Sequence, residues 1–276
     1  MITKDLHEKV AKIRELFQGK RVVVCLSGGV DSSTMLVLAK MFAKEVIAVT
    51  FVSENFRDDL MERAKSLTRR LGVRHYLLTH DVFSIPEFVK NVPDKCYYCK
   101  RAMCEKVKKL ADSLGFDMIV DGSNLSDLLD VRHGMRALEE FGVVSPYILA
   151  GITKEEIRKL ARSLSLEWYD DPPESCYAMR VMRGLEVTRE KIRRIKKAEE
   201  FLRKTFNFRL VRVRDHGDLA RIELLPEDIY SLKPKTFALI AKKLKDLGYK
   251  FVTLDLAGYH ESLLKTKKIQ ENALKL

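Results

Sequence analysis

Proline and glycine are both scarce in this 276-residue chain, at 7 and 13 residues, which excludes a collagen-like, linker-like or low-complexity polypeptide. No apolar run approaches the ~18 residues of a membrane-crossing helix. The longest, around Val22–Leu26 and Val46–Val52, read as buried strands. The N-terminal stretch MITKDLHEKVAKIRELF reads as a charged amphipathic helix without an apolar leader, so a cytoplasmic protein with no membrane partner is expected. Cysteines number five, an odd count that argues against a disulfide framework. What the chain does have is 46% hydrophobic residues, enough for the cores of one large or two ordinary domains.

Charge is plentiful and uneven, with a formal net value of +12. Residues 1–185 hold 29 basic and 26 acidic side chains, and residues 186–276 hold 22 and 13. The excess in the last third fits either solvated helix faces or a partner that is a phosphate, a nucleotide or a nucleic acid.

Up to about residue 166 the pattern alternates strand and helix. Strands are expected at Arg21–Leu26, Glu45–Val52, His75–Thr79 and Met118–Val120. Helices are expected at Ser32–Phe42, Asp59–Leu71, Ile85–Lys90, Ala102–Leu114 and Lys154–Ser163. That alternation predicts an α/β fold with a doubly wound parallel sheet, whose ligand lies beyond the carboxyl ends of the strands. The Pro-containing stretch Trp168–Leu185 breaks the pattern. We therefore expect a first domain at 1–167, a linker at 168–187 that carries Cys176, and a smaller basic α+β domain at 188–276. In the last of these, Thr188 is a candidate N-cap for a helix to Phe206 with an apolar stripe of Ile192, Ile195, Ala198 and Leu202. Phe208–Arg214 and Leu219–Leu225 read as a hairpin, Lys235–Leu247 as a helix and Lys250–Leu256 as a strand.

The strongest local signal is Ser27-Gly28-Gly29-Val30-Asp31-Ser32-Ser33 between a strand and a helix. Glycines allow successive N–H groups to face one anion, and the helix N-terminus and the serines add further donors. The string lacks the Lys of a Walker loop. It resembles the loop of the PP-loop ATP pyrophosphatases, which cleave ATP between the α and β phosphates, adenylate a substrate oxygen and release pyrophosphate. The resemblance assigns Ser27, Gly28, Gly29, Asp31, Ser32 and Ser33 to pyrophosphate, with Asp31 also catalytic, and places Thr50 beside adenine. Asp121, at a later strand end, is a candidate for Mg²⁺ on the phosphates or a plain turn former.

Further segments are similar to the LarE family: Asp121–Asp127 with Asp130-Val131-Arg132, Ser145-Pro146-Tyr147 with Glu156-Ile157-Arg158, Pro172–Arg180, Val211–Glu223 and Thr253–Tyr259. The chain departs from that family's pattern at Arg132-His133-Gly134 and at Tyr259-His260-Glu261. Members act in making a nickel-pincer nucleotide cofactor. They adenylate a carboxylate of pyridinium-3,5-biscarboxylic acid mononucleotide and replace the activated oxygen with sulfur. One subfamily consumes a single cysteine. Another adds an upstream CxxC, and its three cysteines hold a 4Fe–4S cluster. Cys96, Cys99 and Cys176 match the second pattern, with Cys176 at the sulfur site. The resemblance further implies ATP and Mg²⁺ as cofactors, a homo-oligomer and a protein that supplies sulfide.

Cys25 is expected in the core. Cys104 is either a rival ligand or an inward-packing helix residue, and a structural zinc on Cys96, Cys99, Cys104 and Cys176 is the competing metal reading. Arg212, Arg214 and Arg221 alternate along the hairpin and suit a phosphate and carboxylates, as does Arg180 after Cys176, although each also reads as a surface ion pair. Glu199 or Glu200 resembles an acidic active-site position of the family, with Glu200 taken as catalytic. The rivals are a 4Fe–4S PP-loop tRNA thiolase, an amide-forming PP-loop ligase and a nucleotide-binding module without catalysis. The absence of a recognisable RNA-binding module argues against nucleic acid, and the cysteines argue against the ligase.

Overall fold

The computed structural model describes residues 3–129 and 133–259. Its α/β part holds four parallel strands: β1 (Arg21–Cys25), β2 (Glu45–Val52), β3 (Arg74–Thr79) and β4 (Met118–Val120), in the order β3-β2-β1-β4. Val22 and Val24 point into one buried layer and Val23 into the other, so β1 is apolar throughout, as strands covered on both faces must be. The first layer is closed by α1 (Lys4–Phe17), α2 (Val30–Phe42) and α3 (Asp58–Leu71). Helix α2 is buried on nearly every side, from Val30 and from Ser32 to Ala39, which explains its lack of a polar face.

The next helices are α4 (Pro86–Val89), α5 (Lys95–Leu114), α6 (Gly134–Glu140), α7 (Pro146–Ala150) and α8 (Lys154–Ser163). Helices α5 and α6 cover the second face through Cys104, Val107, Ala111 and Leu138, and α8 joins the first layer through Ile157, Leu160 and Ala161. Strand order reverses at β1, whose neighbours are β2 on one side and β4 on the other. The loop after β1 and the end of β4 therefore flank a topological switch point, the usual ligand position in open α/β sheets.

The chain divides into two compact units. One holds Met1–Val82 and Asp94–Pro173, and the other holds Phe83–Pro93 and Glu174–Leu276. The short segment with α4 thus leaves the alternating region and packs with the C-terminal residues. Phe88 is buried there, Val187 N–H donates to the Val89 carbonyl at 2.8 Å, and the Asn91 amide donates to the carbonyls of Met182 and Leu185. The rest of this unit is α9 (Arg189–Phe206), β5 (Val211–Asp215), β6 (Leu219–Leu224), α10 (Pro226–Tyr230), α11 (Pro234–Asp246) and β7 (Phe251–Leu254). Thr188 caps α9 by accepting from Lys191 N–H. The sheet runs β5-β6-β7, antiparallel then parallel, over a core of Ala198, Leu202, Val213, Ile222 and Leu244.

Helix α5 begins at Lys95, ahead of the expected Ala102, so Cys96 and Cys99 lie on its first turns. The shorter elements α6, α7 and α10 lie in stretches whose sequence has no long periodicity.

A threonine–histidine chain ties β2 to β3 and α3. Thr50 Oγ1 donates to the Leu26 carbonyl at 2.6 Å, so it accepts from His75 Nε2 at 2.8 Å, and Thr68 Oγ1 lies 3.2 Å from His75 Nδ1. Burial, with Lys65 nearby, holds the His75 imidazole below its usual pKa and keeps it neutral. A depressed histidine gives stability that is complete above pH 6.5 and is lost as pH falls through the folded-state pKa. Denaturant unfolding at pH 7 and pH 5 is expected to show this loss in the wild type and a smaller one in His75→Asn.

Candidate active site

At the switch point, Gly28 has φ +82°, and a β-carbon there would lie 2.0 Å from the Leu60 carbonyl oxygen. Both conformation and space demand glycine. Gly29 is the extended N-cap of α2. Ser27 N–H donates to Ser32 Oγ at 3.1 Å and the two hydroxyls share a 3.0 Å hydrogen bond, which braces the turn from within. From β4, Gly122 approaches so closely that a β-carbon would sit 2.8 Å from Ser32 N.

Two polar atoms stand out. Asp31 Oδ1 and Ser33 Oγ are buried and have no hydrogen-bond partner among the described residues. Buried polar groups are nearly always paired, and a hydroxyl and a carboxylate oxygen here suit a polyphosphate and its cation. The other oxygen of Asp31 accepts from Lys154 Nζ at 2.5 Å. Tyr147, fully buried, donates its hydroxyl to the Asp31 carbonyl at 3.2 Å, and burial followed by the Asp31 charge raises its pKa.

Asp121 is occupied differently. Its Oδ1 accepts from Ser145 Oγ at 2.7 Å and from Ser123 N–H at 3.1 Å, and its Oδ2 accepts from Ser123 Oγ at 2.6 Å. It shapes the β4 turn and holds Gly122 against the loop, so the turn-forming role is the one on display. Asp31, whose buried Oδ1 has no hydrogen-bond partner among the described residues, could hold a divalent cation. Thr50 is buried, with its hydroxyl committed to the Leu26 carbonyl and His75, and it pairs with Leu77 in the β2–β3 register.

Cys96 and Cys99 sit three residues apart on α5, on one side of one turn, and both are half-buried. Cys99 Sγ is 3.3 Å from His80 Nε2, and burial pushes that imidazole down to about 4. Cys104 is 3% exposed in the second-layer core, where burial pushes its thiol up to about 11. Cys104 thus packs inward against the second-layer core. Cys25 is half-buried at the edge of the same core, its thiol raised by burial to about 12. Lys100 follows the CxxC. Burial lowers its pKa, but Asp121, Cys25, Cys104 and Cys99 outweigh that and raise it, so it remains a cation beside the second thiol. Among the described residues no group of three or more His, Cys, Asp or Glu side chains is arranged to hold a metal ion.

Cys176 lies in the second unit, half-buried, capping the 3-10 turn Tyr177–Arg180. Arg180 is 1% exposed and pins that turn. Its Nη1 donates to the Ser175 carbonyl at 2.6 Å, to Ser175 Oγ at 2.8 Å and to the Cys176 carbonyl at 2.8 Å, while Nε donates to Glu199 Oε1 at 3.0 Å. Nη2 reaches Glu174 at 3.3 Å and Glu199 at 3.4 Å. Burial lowers the Arg180 pKa, and Glu199 and Glu174 more than offset it, so the net shift is upward. All three nitrogens are engaged within the protein, so the side chain shapes the cysteine loop. Of the two neighbouring acids, Glu199 is fully buried and makes these contacts, whereas Glu200 is half-buried.

The hairpin arginines are also paired. Arg212 Nη1 donates to Glu174 at 3.1 Å, and burial and then Arg180 lower its pKa. Arg214 and Arg221 stand directly opposite each other in the β5–β6 register, and both turn to Glu223, at 2.7 and 3.0 Å. Arg221 also meets Asp255 at 3.3 Å, and its buried Nε has no partner among the described residues. Glu174, Glu223, Lys100 and Lys154 have no site role in the sequence reading, and Ser145 enters it only within the Ser145-Pro146-Tyr147 stretch. For Glu223, its alternation with Arg221 on one strand was the available signal. Asp130, Val131, Arg132, His260 and Glu261 lie outside the described residues.

A parallel sheet with a Ser-Gly-Gly-x-Asp-Ser-Ser loop at its switch point defines a PP-loop ATP pyrophosphatase. Residues 21–91 match the queuosine biosynthesis protein QueC family. The chain is 33% identical to the pyridinium-3,5-bisthiocarboxylic acid mononucleotide synthase of Lactiplantibacillus plantarum, over 91% of this chain and 90% of that protein. It is 33% identical to an uncharacterized protein of Synechocystis sp., over 94% and 97%. A tRNA-cytidine(32) 2-sulfurtransferase of Deinococcus radiodurans is 32% identical over 47% of this chain and 45% of its own length. The chain belongs to the LarE family, and it is an ATP-dependent sulfur transferase.

Gly28→Ala is expected to abolish ATP binding in calorimetry with far-UV circular dichroism unchanged, because the Leu60 carbonyl leaves no room for a methyl group. Glu199→Ala strands Arg180 in the interior, and breaking such a pair costs about 3–5 kcal/mol in urea unfolding.

Proposed function

We propose that the enzyme adenylates a carboxylate of pyridinium-3,5-biscarboxylic acid mononucleotide, releases pyrophosphate and exchanges the activated oxygen for sulfur. The observation that carries this reading is the pair of partnerless buried atoms, Asp31 Oδ1 and Ser33 Oγ, in the PP-loop of a LarE-family chain. The loop N–H groups and the α2 N-terminus take the pyrophosphate moiety of ATP, Asp31 holds a Mg²⁺ ion, and the end of β2 near Thr50 meets adenine. Binding both reactants on one protein turns the attack of carboxylate on the α-phosphorus into an effectively intramolecular event.

The sulfur donor in this proposal is a sulfide on a 4Fe–4S cluster held by Cys96, Cys99 and Cys176. Its support is the donor chemistry: two half-buried thiols on one helical turn, a cation at Lys100, and a third thiol in a loop fixed by Arg180. When bound, such a cluster leaves one iron without a protein ligand and so supplies a renewable nucleophile. Glu199 and Glu174 act as positioning residues that set Arg180 and Arg212 and through them the Cys176 loop. Arg214 and Arg221, at the hairpin, take the phosphate and second carboxylate of the substrate by exchanging one of their protein carboxylate partners. A homo-oligomer and a sulfide-supplying protein partner complete the proposal.

Anaerobically purified protein is expected to carry about four irons with matching sulfide. On turnover with ATP and the biscarboxylate nucleotide it should yield AMP and a thiocarboxylate, with the mass of Cys176 unchanged. Zinc in place of iron, or loss of sulfur from Cys176 in one turnover, contradicts the cluster route. Thiolation of tRNA instead of the nucleotide contradicts the substrate.

A further inference from the structure

One cation near the loop has no part in the reading above. Lys154 is the first residue of α8 and is firmly placed: its N–H donates to Ser126 Oγ at 3.1 Å, directly after the Thr153–Glu156 capping box. A helix N-terminus favours acids, so α8 gains nothing from a lysine there. Its acidic neighbours are committed elsewhere, Glu155 to Lys159 at 3.0 Å and Glu156 to Lys9 at 2.7 Å. The ammonium instead reaches across to Asp31. It therefore sits on one oxygen of the carboxylate whose other oxygen is buried and without a partner among the described residues, two residues before Ser33, whose hydroxyl is likewise buried and unpaired there.

From this geometry we infer that Lys154 is a phosphate-binding residue for the adenylation step, an inference that rests on the loop's taking ATP. When a polyphosphate enters, the flexible lysine stem lets the ammonium pass from Asp31 Oδ2 to an oxygen of the leaving pyrophosphate, leaving both Asp31 oxygens for a divalent cation. As the substrate carboxylate oxygen bonds to the α-phosphorus, the bond from that phosphorus to the bridging oxygen breaks. The electron pair departs on pyrophosphate, where Lys154 offsets the added negative charge. No proton need move.

Calorimetric titration of inorganic pyrophosphate and, separately, AMP, each with Mg²⁺, tests this in full-length protein. Lys154→Met is expected to weaken pyrophosphate about 10- to 100-fold, the scale of one charge-assisted hydrogen bond. AMP affinity should stay within about twofold and Lys154→Arg should recover most of the loss, since only the phosphate contact is altered. In an Asp31→Asn background the Lys154→Met effect should persist. If it vanishes there, Lys154 acts only by holding Asp31 and the inference is overturned. It is also overturned if Lys154→Met, folded by circular dichroism, binds pyrophosphate like wild type. Wild-type protein that takes up no pyrophosphate contradicts the nucleotide reading itself, and this inference with it.

Discussion

The reversal of strand order at β1 is the constraint on which the nucleotide site depends. Parallel pairing of β1 with β2 on one side and β4 on the other opens a crevice between the two crossover connections. Two glycines then allow backbone to approach backbone there, Gly28 against Leu60 and Gly122 against Ser32. Neither contact tolerates a β-carbon. The closeness they permit sets α2, and with it Asp31 and Ser33, at the end of the crevice. Buried polar atoms without partners are costly, by about 1–3 kcal/mol each. Their presence together at the start of α2 supports the proposal that a polyphosphate and its cation bind there.

The second unit uses charge in another way. Arg180 and Glu199 are both fully buried, and Arg194 closes on the buried Asp215 with 2.6 and 2.8 Å hydrogen bonds. Such pairs add little net stability because desolvation offsets attraction, but losing one partner is expensive, so they fix geometry. Around Cys176 they fix a loop. The basic excess of the last third is thus in part taken up within the fold: Arg212, Arg214 and Arg221 are already bonded to Glu174 or Glu223. Under the proposed function, a substrate phosphate at these arginines would compete with those carboxylates, which favours a doubly charged, well-fitted anion over loosely held polyanions.

Much of the fold was legible in the sequence because its causes are local. Strands buried on both faces are written as unbroken apolar runs, and glycines are required where the loop turns. Met118–Val120, only three residues long, was recognisable from the Asp-Gly that ends it. The start of α5 was not, because Asp94 makes no side-chain cap and Tyr97 and Tyr98 blur the period; yet that start decides that Cys96 and Cys99 share a helical face. The site was legible in its loop and its thiols and illegible in its partners. Nothing near Arg180 in sequence indicates that Glu199 rather than Glu200 meets it, since one position on a helix is about 100° of rotation. The Lys154–Asp31 contact spans 123 residues and exists only through the packing of α2 against α8.

The central claim is that a substrate carboxylate oxygen attacks the α-phosphorus of ATP. Turnover of the biscarboxylate nucleotide labelled with ¹⁸O in its carboxyl groups, followed by mass spectrometry of the nucleotide products, tests it most directly. Carboxylate adenylation followed by sulfur exchange predicts that AMP acquires one ¹⁸O. Unlabelled AMP, or ADP with the label in inorganic phosphate, would contradict it.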